Sequence, residues 1–327
     1  MKTQLILVAA GGFLAACCLG ALALLAAENA PRFTGIQALT NKEIALTLSV
    51  SNGLALRIDT SSNLTEWAAL VTLPGTNLTL QHTDTATPYL SQRFYRAEQL
   101  SGTNFLTGDH LATTNGDVVI HPVNHAAFVL RWQDKMIYND PGNSAARFAG
   151  LPRADLILIS HSHSDHFNTS VIDTVRGADP LLIVPQDVFG RLTAAQRAIA
   201  IVLGYSGSTN VLGLTVTAVP AFNSNHSPLG FGNGYVLTIG GRRLYASGDT
   251  GDMAEIRALT NIDVAFVCIN LPFTMDVPTA ASVVRAFRPQ VVYPYHYSPS
   301  TPTTDLNDFK RRIGQDLGIE VRLRKWY

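Results

Sequence analysis

Cysteine is scarce in this chain, and so is charge. Only three cysteines occur in 327 residues. Two of them, Cys17 and Cys18, lie in an apolar N-terminal run, so Cys268 has no partner with which to build a disulfide framework. Cys268 falls in the apolar stretch Asp263 to Asn270 and reads as a small buried hydrophobe. Charged residues make up 15% of the chain, and Lys plus Arg balance Asp plus Glu at 24 each. The absence of net charge argues against a protein whose main work is gripping nucleic acid, which needs a basic face, although it does not exclude a local patch. What is present is apolar: hydrophobic residues reach 46%, enough for a large core and for more than one domain.

Lys2 precedes an uncharged run from Leu5 to Ala27. A basic start followed by an apolar stretch fits a signal peptide, and the run is also long enough to span a bilayer. Leu14-Ala15-Ala16-Cys17 resembles a bacterial lipoprotein cleavage box, although the chain stays apolar well beyond Cys17. Residues 1–30 are therefore expected to be a signal peptide or membrane anchor. Each version exports the rest of the chain to a periplasmic, extracellular or membrane-anchored location.

Residues 31–100 read as short strands. Glu43 to Val50 and Leu54 to Asp59 alternate with period two, and turn-rich pieces such as Ser51-Asn52-Gly53 separate them. The pattern predicts a small all-β sandwich. Arg57 to Trp67, followed by Gln92 to Ala97, resembles an immunoglobulin-like accessory module of secreted bacterial proteins. The module holds no cluster of reactive side chains, so Trp67, Phe94 and Tyr95 read as core. Residues 101–114 are rich in Gly, Thr and Asn and read as a linker. From 115 to 327 strand-like and helix-like segments alternate, which predicts an α/β domain. Helices are expected at Ser170 to Arg176, Thr193 to Leu203, Met253 to Leu259, Thr279 to Phe287 and Leu306 to Ile313.

The chemistry is concentrated in His161-Ser162-His163-Ser164-Asp165-His166, directly after the continuously apolar strand Asp155 to Ser160. Side chains two apart on an extended segment point the same way, so His161 and His163 can reach one metal. Asp165 and His166 are placed at the start of a helix, from which they can turn toward a second metal. Imidazole and carboxylate suit zinc. Such groups are costly to bury as mere packing. Further candidates follow other strands: His226 after Leu214 to Val219, Asp249 after Arg243 to Ala246, and His296 after Val291 to Tyr295. All fall on one rim of the sheet, where ligands gather in open α/β folds.

The order H-x-H-x-D-H, then H, then G-D-T, then Y-H resembles the metallo-β-lactamase superfamily over Gly116 to Tyr327. The finer match, through Asn124-His125-Ala126, Ile137 to Pro141, Gly232 to Tyr235 and Tyr293 to Tyr297, is to its broad branch of zinc-dependent hydrolases. That branch includes ascorbate-6-phosphate lactonases and N-acyl-phosphatidylethanolamine phospholipase D. The resemblance implies a four-layer αβ/βα sandwich with the metals at the edge between two sheets. It implies that His161, His163 and His226 hold one metal, that Asp165, His166 and His296 hold another, and that Asp249 bridges both. It implies two Zn2+ per chain, with Mn2+ or Fe as substitutes. It also puts Asp140 beneath the site, orienting a metal-binding histidine. His163 stands where flavodiiron proteins carry Glu, which argues against redox iron. Asp249 stands where the best-known β-lactamases carry Cys, so antibiotic hydrolysis is not implied.

The expected activity is hydrolysis of an ester, lactone or phosphodiester in a small or lipid-like substrate, by a metal-bridging hydroxide. Asp165 or Asp249 would steer the proton. His125 reads as a substrate contact at the mouth or a structural hydrogen-bonder. Tyr295 and Tyr297 read as packing residues or as donors to the developing charge. The alternatives are an iron-dependent oxidoreductase on the same fold, a non-catalytic exported binding protein, and an adhesin working through the β module.

Overall fold

The computed structural model describes residues 3–8, 31–50, 53–101, 105–300 and 303–327. Thr3–Val8 is a strand antiparallel to Arg93–Gln99. The rest of the expected leader, with Cys17 and Cys18, lies outside the described residues. Among the described residues no helix is long and apolar enough to cross a membrane. The chain divides into two compact units: Met1–Ala112 with Asp117–His121, and Thr113–Gly116 with Pro122–Tyr327.

The first unit is built from two antiparallel sheets. One orders Arg32–Ala38, Ile44–Ser49 and Thr79–Asp84; in the other Leu56–Ser61 lies between Arg93–Gln99 and Ala68–Leu73. Ile44, Leu46 and Leu48 alternate with half-buried neighbours, as a strand with one covered face must. They meet Leu56, Ile58 and Tyr95 in one core. Tyr95 is wholly enclosed, whereas Trp67 and Phe94 are only partly covered, and Trp67 lies beneath the Arg96 guanidinium at 4.7 Å. The segment read as a linker contains the strand Gly108–Thr113, which pairs with Ala68–Leu73 through Val71 and Asp109. Its polar composition concealed this, because ladder hydrogen bonds belong to the backbone and need no apolar side chains.

The second unit holds two sheets. In one, Ala127–Trp132, Lys135–Asn139, Ala154–Leu158, Arg176–Val184 and Ala200–Val202 lie side by side, and the last four run parallel. In the other, Ser208–Val211, Leu214–Ala221, Gly232–Ile239 and Arg242–Ala246 form an antiparallel meander, continued in parallel by Val264–Cys268, Val291–Tyr295 and Glu320–Val321. Val264–Cys268 and Val291–Tyr295 are buried along their whole length, hence their uncharged, largely apolar sequences, and Ala154–Leu158 departs from this only at Asp155. Phe128 of one sheet stacks on Phe266 of the other at 4.1 Å, and the Tyr235 hydroxyl donates to the Ile159 carbonyl at 2.8 Å. Helices Thr169–Val175, Val277–Phe287 and Leu306–Ile313 each bury one apolar face.

The expected helix over Thr193 to Leu203 is two elements. Ala194–Arg197 is one helical turn, closed at its start by a Thr193–Gln196 capping box, and Ala200–Val202 is an edge strand. The β-branched Ile201 and Val202 take the parallel ladder offered by Ile183 and Val184, and tertiary pairing overrides the helical texture.

Candidate metal centre

All seven expected ligands lie in the second unit, just past strand ends, and their side chains converge. Ala154–Leu158 delivers His161, Leu214–Ala221 leads to His226, Arg242–Ala246 to Asp249, and Val291–Tyr295 to His296. The helix after the motif starts at Thr169, capped by the Asn168 side chain. Asp165 and His166 thus occupy a tight turn before the helix rather than its first turn. The turn forms because the His163 carbonyl accepts from the backbone of both His166 (3.0 Å) and Phe167 (2.8 Å). It also needs room. A Cβ on Gly142 would come within 2.3 Å of the Asp165 backbone. Gly248, at φ +59, makes the bend that brings Asp249 inward, and a Cβ there would stand 2.8 Å from the Asn233 carbonyl.

Two ligand sets result. His161, His163 and His226 face one another, with His161 Nε2 3.1 Å from His163 Nδ1. Asp165, His166 and His296 form a second set, and His125 stands within it. Asp249 lies between the sets. Its Oδ2 is 3.2 Å from Nε2 of both His226 and His296, and its Oδ1 is 3.4 Å from His166 Nε2.

The surrounding hydrogen bonds fix which imidazole nitrogens face inward. Asp140, wholly buried, accepts from the Ser160 hydroxyl (2.7 Å), the Ser160 backbone (2.6 Å) and His166 Nδ1 (2.9 Å). His166 therefore carries its hydrogen on Nδ1 and turns the Nε2 lone pair to the site. Having donated to Asp140, the Ser160 oxygen can accept from His161 Nδ1 at 3.0 Å, so His161 too presents Nε2. His226 Nδ1 donates to the Asn223 amide oxygen at 2.9 Å, and the Asn223 amide nitrogen donates to the Asp249 and Phe273 carbonyls. Ser160 and Asn223, which contact the expected ligands His161 and His226, were not among the residues the sequence singled out.

The inward nitrogens of His166, His226 and His296, with Asp249 Oδ1, are buried and have no hydrogen-bond partner. Buried polar atoms left so are costly, and a cation in each set would satisfy them. Electrostatics agree. Burial opposes charge on Asp249, but His296 and His166 outweigh it and hold its carboxyl well below the usual range. Burial likewise opposes a charged His166, yet Asp249 and Asp140 raise its pKa far above the ordinary value. His296 is pushed up to about 9, again with Asp249 overcoming burial.

The remaining expected site residues divide. Asp140 is hydrogen-bonded to His166, one of the expected ligands. The Tyr295 hydroxyl is enclosed and accepts from the Gly248 backbone at 3.0 Å, at the bend that carries Asp249. The Tyr297 hydroxyl accepts from the Trp326 backbone at 3.3 Å. His125 Nε2 is 3.0 Å from Asp165 Oδ2, and its ring lies against that of His296 at 3.8 Å.

A family model described as the beta-lactamase superfamily domain matches residues 119–296. The chain belongs to the metallo-β-lactamase superfamily. Among its relatives in the superfamily, a metal-dependent hydrolase of Thermococcus onnurineus is 32% identical over 218 residues, 62% of this chain and 96% of that protein. The crystal structure of a metal-dependent hydrolase from Parabacteroides distasonis is 32% identical and superposes with a TM-score of 0.61, covering 68% of this chain and 100% of that one. A metallo hydrolase from Ignicoccus hospitalis, 24% identical, shares the fold with a TM-score of 0.56 over 64% of this chain and 95% of its own. The second unit is accordingly a metal-dependent hydrolase of the superfamily fold.

Proposed function

We propose that the chain is a dinuclear zinc hydrolase acting on an ester, lactone or phosphodiester bond. One observation carries this reading: two sets of inward-facing ligand atoms share a single carboxylate, Asp249, that reaches both. Two cations held there would activate a water and polarise the substrate oxygen.

The chain's own residues do the rest. Asp140, Ser160 and Asn223 keep three imidazoles in the ligating tautomer. Asp249 is 4% exposed at its side chain and acts from within, whereas Asp165 is 34% exposed and is the carboxylate that substrate can reach. Proton steering is therefore assigned to Asp165. The mouth favours an apolar substituent. Phe231 lies 5.4–6.4 Å from the rings of His161, His163 and His226. Asn223 and Asn225 also tether the segment carrying exposed Leu271 and Phe273, through the Phe273 and Pro272 carbonyls. The basic, apolar N-terminal segment supports action outside the cytoplasm.

The test is elemental mass spectrometry on natively purified protein, run beside hydrolysis of ester, lactone and bis-p-nitrophenyl phosphate substrates. About two zinc per chain, with activity lost to a chelator and restored by zinc, is expected. Iron with oxidase activity would replace the proposal with the oxidoreductase reading. Protein that neither holds nor responds to any metal would leave a binding protein.

A further inference from the structure

The hydrogens around His125 are fixed by Tyr327, a residue outside the motif. The Tyr327 hydroxyl lies 2.6 Å from the Tyr297 carbonyl, an acceptor with no hydrogen of its own, so the hydroxyl donates there. That oxygen is also 2.5 Å from His125 Nδ1. With its one hydrogen spent, it accepts, and His125 carries its hydrogen on Nδ1. The neutral ring then presents the Nε2 lone pair to Asp165 Oδ2 at 3.0 Å. Two acceptors at that distance leave a place for a cation between them.

The spacing fits a shared cation. Asp165 Oδ2 has three imidazole nitrogens about it: His125 Nε2 at 3.0 Å, His166 Nε2 at 3.4 Å and His296 Nε2 at 3.4 Å. With zinc–ligand bonds of about 2.0–2.2 Å, neighbouring ligand atoms in tetrahedral or octahedral arrangements stand roughly 3.0–3.6 Å apart. The one ligand atom from each of the four side chains lies within 4.8 Å of the others. The backbone also places the ring deliberately. His125 adopts φ 54, its N–H donates to the Trp326 carbonyl at 3.2 Å, and its carbonyl accepts from His296 at 3.1 Å. The turn bearing His125 is therefore tied at once to the Trp326-Tyr327 segment and to a ligand of the second set.

We propose that His125 is a further protein ligand of the second cation, held in its ligating tautomer by Tyr327. This rests on the dinuclear reading above. Tyr327 is a positioning residue and His125 a ligand, so the second set comprises three imidazoles and one carboxylate before Asp249 is added.

The experiment is a Zn2+ and Co2+ titration of metal-stripped full-length protein, followed by competition with a chromophoric chelator and by the Co2+ visible spectrum. The variants are His125→Asn, chosen because Asn tolerates positive φ, Tyr327→Phe, which keeps the ring and removes only the hydroxyl, and His163→Ala as a first-set control. In His125→Asn the second cation should bind at least a hundredfold more weakly with the first unchanged. Tyr327→Phe should weaken the second by about 10–100-fold, the usual effect of losing a partner that orients a ligand. Both should alter the Co2+ bands that His163→Ala leaves in place. If both variants bind the second cation as the unaltered chain does, and only KM rises, His125 is a substrate contact and the inference falls. If the unaltered chain binds fewer than two cations, the dinuclear reading itself fails, a result visible before any variant is compared.

Discussion

The two units bury charge in opposite ways. In the first, Asp84 accepts from Arg93 Nε at 3.0 Å, the Tyr95 hydroxyl at 2.9 Å and the Ala86 backbone at 3.1 Å. Asp59 is gripped by Arg57 at 2.7 Å and Arg96 at 2.8 Å. In every case a hydrogen lies between the two atoms. In the second unit, Asp249 lies against Nε2 of His166 and His226, whose Nδ1 hydrogens point away, to Asp140 and Asn223, so that a cation, or in its absence an added proton, has to come between them. Burial and charge are common to both units. What marks the metal centre is the placement of hydrogens: in one unit the polar atoms satisfy one another, and in the other they are arranged so as not to.

The sharpest way to break this contrast is to remove the carboxylate shared by both ligand sets. Asp249→Ala should abolish hydrolysis and lower metal content, read by a substrate assay and elemental mass spectrometry on the same sample. Normal turnover with a full metal complement would refute the bridging role. The matching change in the first unit is Asp84→Ala. It leaves the largely buried Arg93 without its partner and should cost about 3 kcal/mol in denaturant unfolding of the first unit, with metal content untouched. Loss of metal on this change would show that the two kinds of buried charge are not separate.

A finer probe keeps the ligands and alters only an orienting partner. Asp140→Asn leaves a side chain of similar shape but replaces one acceptor oxygen with an amide nitrogen. The second cation should bind about 10–100-fold more weakly, seen in chelator competition. Unchanged affinity would mean that packing alone holds His166.

Proton and cation should also compete. Asp249 raises the proton affinity of His166 and His296, so in metal-free protein these rings hold protons that a cation must displace. His296, with a folded-state pKa of about 9, stabilises the metal-free fold fully below its ordinary value of 6.5, and this contribution fades as pH rises through about 9. Cation affinity has the opposite sense: it should climb with pH up to about 9, with protons released on binding. Titrations in buffers of different ionisation enthalpy measure that release, and a pH-independent affinity between 6 and 9 would contradict it.

Much of this was legible in sequence because it is local. The H-x-H pair was legible as two ligands just past a strand, and the strand from its apolar run, although the chain bends at Ser162 and His163 instead of staying extended. The turn at Asp165 and His166 was misplaced because it depends on one carbonyl, that of His163, accepting twice, which no residue pattern encodes. Tyr327 and Asn223 escaped notice for a different reason. Tyr and Asn are unremarkable residue types, and Tyr327 acts on His125 across 202 positions. Ser160 sat beside the motif, but its role appears only when Asp140 arrives from a neighbouring strand.

Cys268 offers the gentlest test of the contrast. It lies close to the metal centre, with its backbone N–H donating to the Ser247 hydroxyl and its thiol to the Thr250 carbonyl. Burial, with Asp249 nearby, pushes the thiol up to about 11, and the residue is free and buried. It therefore behaves like the satisfied groups of the first unit, although it lies in the second. At pH 8 it should resist iodoacetamide in the native protein with or without chelator, and react only on unfolding. Cys268→Ala should cost on the order of 1 kcal/mol for the small void. Rapid alkylation on stripping the metal would mean that the thiol is itself poised toward the cations, and the line between satisfied and waiting groups would have to be redrawn to include it.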